Sequence, residues 1–85
     1  MNNKPEYEID TCSIIVTKHF RNKYLKKWNW DMIDLRNAIK EAHHIDKVGK
    51  EKYEVYVRKN GSKKIILAYQ QMENIIIVIS GAEGK

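Results

Sequence analysis

His19 is the one histidine of this chain that lies next to a run of cations, and its ordinary pKa suits either direction of proton transfer. Around it Lys18, Arg21, Lys23, Lys26 and Lys27 follow one another without an acid. Arg58, Lys59, Lys63 and Lys64 form a second acid-free run. Cleaving RNA without a metal ion takes a base for the 2′-hydroxyl, cations on the charged phosphorane and an acid for the leaving oxygen. His19 fits either proton role. Arg58 can hold a phosphate bidentately, and the lysines supply point charges. Tyr56 and Tyr69 could stack a base or donate a proton. Each residue also has a plainer reading: His19 as a hydrogen bond at a helix start, Tyr69 and Tyr53 as sheet packing, the lysines as a solvated face.

The charge is distributed in keeping with a polyanion partner. The chain of 85 residues carries 16 Lys+Arg against 11 Asp+Glu, a net +5. Residues 18–64 hold 14 of the bases and 6 of the acids, so the ends are net acidic. A clustered positive field attracts nucleic acid. A single cysteine, Cys12, excludes an intrachain disulfide and a cysteine-rich zinc module, and it reads as a buried strand residue. His43-His44 reads as a basic helix end and not as a metal pair. No metal and no cofactor are expected. Gly-rich phosphate loops, serine-nucleophile motifs and dinucleotide fingerprints are absent, which sets most metabolic enzyme classes aside. No apolar run approaches 18 residues, and acids follow the N-terminal Met1-Asn2-Asn3-Lys4-Pro5, so neither a membrane helix nor a signal peptide is expected and the cytoplasm is the expected location.

The elements that would position these groups follow from hydrophobic periodicity. One domain over 1–85 is expected, with loose tails at 1–5 and 81–85. Alternation and β-branching predict a first strand near 7–17, broken near Asp10. Thr17 can cap a helix near 19–27, whose apolar stripe is Phe20, Tyr24 and Trp28 with Leu25 beside it. Asp31 caps a second helix near 31–43, with Asp34 in its first turn and a Trp30–Leu35 hydrophobic staple. A polar connection over 45–51 precedes strands near 53–59, 63–70 and 74–80. Asn60-Gly61 signals a hairpin. A two-residue loop pairs Arg58 with Lys63, whereas a three-residue loop pairs Arg58 with Lys64 and gives cleaner apolar faces. Both put Tyr56, Arg58 and one lysine on one face. The order β-α-α-β-β-β predicts an α+β fold, an antiparallel sheet with two helices on one face. The final run Ile75–Ile79 is apolar on both sides, so a second cover is expected, and a homodimer or partner-bound form follows.

The string Thr17-Lys18-His19-Phe20, the Lys-rich first helix, Trp30-Asp31 opening a helix with Leu35 and Ala38-Ile39, the Lys47-Val48-Gly49 connection and the last three strands resemble the uncharacterised RelE-like small proteins of archaea and bacteria, within the RelE/ParE toxin superfamily that includes BrnT. The resemblance runs from about Ile14 to Ile79. It implies the β-α-α-β-β-β fold, a cytosolic role and a small antitoxin protein as partner; many toxins of the superfamily cleave mRNA at the ribosome, and the ParE branch acts on gyrase. His19 matches the histidine that opens the family's first helix, and Lys23 the basic residue four positions later. Arg58, Lys63 or Lys64, and Tyr69 lie on strands where RelE-type nucleases carry basic and tyrosine residues. The chain departs from that pattern in reaching Gly84-Lys85 soon after its last strand, where some nucleases carry a final catalytic residue on a longer tail.

Three readings stand at this point. The first is a toxin-like, RNA-directed protein with metal-independent endoribonuclease activity through His19, Arg58 and Tyr69, RNA being held by Lys18, Arg21, Lys23, Lys26, Lys27, Tyr56, Lys63 and Lys64. The second is a non-catalytic RNA- or protein-binding module of the same fold. The third is a protein-interaction subunit whose charge serves solubility.

Overall fold

The computed structural model describes residues 5–83; of the tails expected at 1–5 and 81–85, residues 1–4 and 84–85 lie outside the described residues. Five strands and two helices alternate as β1 (Ser13–Val16), α1 (residues 18–28), α2 (Met32–Lys40), β2 (His44–Lys47), β3 (Lys52–Arg58), β4 (Ser62–Gln70) and β5 (Ile75–Glu83). The sheet order is β1-β5-β4-β3-β2, and every neighbouring pair is antiparallel except β1 with β5, which is parallel. The fold is therefore α+β with a mixed five-stranded sheet, not the four-stranded antiparallel sheet expected. The parallel pairing has a local cause. Thr17 follows β1 directly, donates its backbone N–H to Val78 and its hydroxyl to the Ile79 carbonyl, and accepts the Phe20 N–H to cap α1. Only with β1 running alongside β5 does α1 start over the sheet.

Helix α1 is α-helical at both ends and contains one π turn over Arg21–Leu25, where the Lys26 N–H reaches back to the Arg21 carbonyl. A π turn holds one residue more than an α turn. That extra residue brings Leu25 onto the side of Phe20 and Trp28, and all three are buried while Tyr24 is only half-buried. Leu25 thus joins Phe20 and Trp28 in the core, and Tyr24 packs against both rings at the edge of the stripe. Asn29 ends the helix at φ 59°, with Trp30 N–H to Leu25 and Asn29 N–H to Lys26 carbonyl bonds, a Schellman ending that asparagine tolerates. Asp31 and Asp34 then form a reciprocal capping box that opens α2.

The core lies between the helices and one sheet face. Phe20, Leu35 and Ile39 meet Val55, Ile65, Leu67, Ile76 and Val78, all essentially without solvent exposure. Ile76 and Val78 are thus covered by the helical layer. The side of β5 left without a helix is that of Ile75 and Ile77, which are half-buried. Residues 7–12 are not a strand. They turn through Thr11 and Cys12 N–H bonds to the Glu8 carbonyl, and the Arg36 guanidinium donates to the Ile9 and Cys12 carbonyls. Tyr7 closes that end of the core edge-on to Tyr53 and Tyr69. Burial, then its neighbours Tyr53 and Cys12, push the Tyr7 phenol well above its ordinary pKa. Residues 81–83 belong to β5 rather than a tail, and α2 stops at Lys40, so His44 opens a strand instead of closing a helix.

At Gly81 the rings of α1 pack directly onto the β5 backbone. A Cβ there would stand 3.1 Å from the Lys64 carbonyl oxygen, 3.1 Å from Trp28 and 3.4 Å from Phe20. Backbone and buried rings cannot both give way, so Gly81→Ala should destabilise by about 1–3 kcal/mol, the usual cost of overpacking. The check is a lower urea midpoint at unchanged m-value.

Candidate functional site

The hairpin between β3 and β4 decides which cations are available. Its loop is Lys59-Asn60-Gly61, and Arg58 pairs with Ser62, Val57 with Lys63 and Tyr56 with Lys64. This is neither register expected from the sequence. Asn60 and Gly61 both take positive φ, 58° and 102°, as the turn chemistry requires. Tyr56, Arg58 and Lys64 do share a face. Lys63 points the other way, into the core face, and is 7% exposed. Its ammonium donates to the Lys59 and Asn60 carbonyls at 2.8 and 2.6 Å and lies 5.4 and 5.7 Å from the ring centres of Trp28 and Trp30. Lys63 is a clamp on the hairpin loop, with its donors turned inward.

On α1 the situation is the reverse. Lys18, His19, Arg21, Lys23, Lys26 and Lys27 are all exposed. Lys27 pairs with Glu83 at 3.2 Å, and the same carboxylate accepts the Trp28 indole N–H at 2.6 Å. The Trp28 bond first, then Lys27, hold the Glu83 carboxyl below its ordinary pKa. Lys18, Arg21, Lys23 and Lys26 form no ion pair among the described residues. His19 stands edge-on to Tyr24 at 5.9 Å, and the Lys23 ammonium lies over the same ring at 5.6 Å.

The other expected residues lie elsewhere. Tyr69 is buried on the helix side, edge-on to Tyr7, and its hydroxyl donates to Asn74 at 2.8 Å. Along β4 it is seven residues from Ser62, the partner of Arg58, a span of about 24 Å at 3.4 Å per residue. Tyr69 and Arg58 therefore do not share a site. Tyr56 donates its hydroxyl to Glu54 at 3.0 Å, which raises its pKa, with partial desolvation adding to the effect. Lys64 stands 3.9 Å from the same Glu54 carboxylate. Arg58 is exposed on the sheet face that carries no helix, opposite α1, and borders a cleft of about 200 Å3 with His43, Tyr56, Val57, Ser62 and Lys63. The sequence does not place His43 beside Arg58, because its pattern extends the helix to residue 43, whereas His43 precedes β2 and donates its N–H to the Tyr56 carbonyl.

Among the described residues no group of His, Cys, Asp and Glu is placed to hold a metal ion, and no helix is long and apolar enough to cross a membrane. Comparison with known proteins finds no matching family model, curated protein or solved structure.

The clamp reading of Lys63 has a direct consequence. Lys63→Met keeps most of the stem over the two tryptophans and removes both carbonyl contacts. It should cost about 1.5–3 kcal/mol in chemical denaturation, the range for hydrogen bonds to a charged group.

Proposed function

We propose that the chain is a toxin-like, RNA-directed protein whose exposed α1 face takes up the phosphates of a single RNA strand. One observation carries this reading: Lys18, Arg21, Lys23 and Lys26 project from one short helix with no carboxylate paired to any of them. Elsewhere on the surface Lys40, Lys47, Lys59 and Lys64 face Asp10, Glu6, Asp34 and Glu54, and the exposed Lys50, Lys52 and Arg58, which form no ion pair among the described residues, are not gathered on one helix. Unpaired cations repel one another, and phosphate oxygens relieve that repulsion while releasing counterions. Tyr24 adds a half-buried ring beside Lys23 on which a base can stack. The RelE/ParE-like reading, with a small antitoxin partner in the cytoplasm, belongs to the same proposal. It is supported by the succession of a leading strand, two helices and a closing antiparallel meander, to which β2 is an addition.

The binding test is a salt titration with single-stranded RNA. Lys23→Ala and Lys26→Ala should each lower the slope of log affinity against log salt by about 0.7, the value for one lost contact to a single strand. Arg58→Ala, on the opposite face, should leave it unchanged. A wild-type affinity that ignores salt would remove the proposal.

Cleavage is a second reading, favoured by the exposure of His19 within this field. His19→Gln keeps a polar side chain and removes titration. RNA cleavage by the wild-type protein should then fall about 10²-fold or more. Cleavage that survives the substitution within about tenfold assigns the chemistry to other groups. Salt-dependent binding with no cleavage by the wild type establishes the non-catalytic module.

A further inference from the structure

The two edges of the sheet are built differently. The β2 edge carries His44, Asp46 and Lys47 around a single isoleucine, with His44 and Asp46 joined at 2.8 Å. Charge on an edge strand discourages pairing with another chain. The β1 edge is Ser13-Ile14-Ile15-Val16, with no charge, no proline and no bulge. Its free hydrogen-bonding groups can be placed from the ladder. Ser13 and Thr17 donate their N–H groups to Asn74 and Val78 across the parallel pairing, so the odd residues face β5. The N–H and C=O groups of Ile14 and Val16 therefore point away from the sheet, and none has a partner among the described residues. Ile15 is 50% exposed on the face without helices, and its neighbour across the ladder is Ile77.

We infer that β1 pairs with β1 of a second copy of this chain, antiparallel, about a two-fold axis through Ile15. The register is fixed by the outward groups. Ile14 and the partner's Val16 exchange both backbone hydrogen bonds, as do Val16 and the partner's Ile14, giving four in all. Ile15 then falls at a non-hydrogen-bonded position opposite the partner's Ile15, where side chains approach most closely. Such an axis stands perpendicular to the sheet, so both copies keep their helices on one side and their Ile15–Ile77 bands on the other. The second copy is the occupant that this edge fits. The edge carries no charged side chain, and across the axis Ile14 opposes the partner's Val16 and Ile15 its own copy, so apolar residues face apolar residues throughout. The joined sheet has ten strands, and its only remaining edges are the two charged β2 strands. The inference stands apart from the RNA reading.

Sedimentation velocity and a designed cross-link test it on the full chain. The wild type should sediment as a dimer, Ile15→Lys as a monomer with unchanged circular dichroism, and Met72→Lys, at the exposed β4–β5 turn, as a dimer. Opposed residues at a non-hydrogen-bonded position have Cα atoms roughly 4.5 Å apart, within disulfide reach. Ile15→Cys treated with glutathione disulfide should therefore form one intermolecular S–S bond. Two protein thiols are oxidised as one glutathione disulfide is reduced to two glutathione thiols. Met72→Cys should cross-link no more than the wild type, whose Cys12 is buried. A monomeric wild type overturns the inference, as does a dimer that survives Ile15→Lys, or an Ile15→Cys protein that stays uncross-linked.

Discussion

Everything in this fold hangs on one junction, where Thr17 joins the first strand, the first helix and the last strand. Its backbone N–H continues the β1–β5 ladder, its hydroxyl donates to the Ile79 carbonyl and the same oxygen caps α1. The contact separates residues 62 apart in sequence. Closing a loop of that length costs conformational entropy that later contacts must offset. The offset is the α1 packing against β5: Phe20 and Trp28 reach the sheet only because Gly81 leaves room for them. The helix that carries the exposed cations is thus fixed at its start by Thr17 and at its end by the Trp28–Glu83 bond. A rigid helix holds its charges at constant spacing, which a loop would not.

Much of this was legible in the sequence, and what was not has physical causes. The Asp31 cap, the Thr17 cap and the Asn60-Gly61 turn are short-range devices whose geometry depends on a few adjacent residues, and all three form. The two-residue register of the hairpin turns Lys63 outward, and the three-residue register turns it inward but displaces the pairing by two residues. Here the stem is buried, and the ammonium finds two carbonyls and two indole faces at the hairpin end. The apolar run of β5 predicts cover on both sides. The helices take Ile76 and Val78, and the other side is only half-buried.

Strand β2 escaped notice for a related reason. Its residues are mostly charged, and Ile45 alone is apolar in His44–Lys47. Backbone pairing with β3 makes the strand, and charge suits the place it occupies at the sheet edge. The π turn of α1 was equally hidden. The sequence offers Tyr24 and Leu25 side by side, and 3.6-residue periodicity favours Tyr24 with Phe20 and Trp28. One inserted residue buries Leu25 and leaves Tyr24 half-exposed between His19 and Lys23. The change matters for the candidate site, since it puts an aromatic face among the cations at no cost to the core.

The sheet itself divides the residues that the sequence suggested would act together. His19 and the α1 cations lie on the helix side, Arg58 and Tyr56 on the other, and Tyr69 under Tyr7 at the far end of β4. A histidine, an arginine and a tyrosine separated in this way cannot converge on one phosphorus atom, which general acid–base chemistry requires within hydrogen-bond reach. Whatever α1 does, it does with its own groups: four unpaired cations, one imidazole and one ring. On the RNA-directed reading proposed above, the cations of that set would each neutralise a phosphate, and such binding sums over separate contacts. For cleavage it supplies one proton carrier, and the 2′-hydroxyl and the leaving oxygen would have to be brought to it by the bent path of the RNA over the helix.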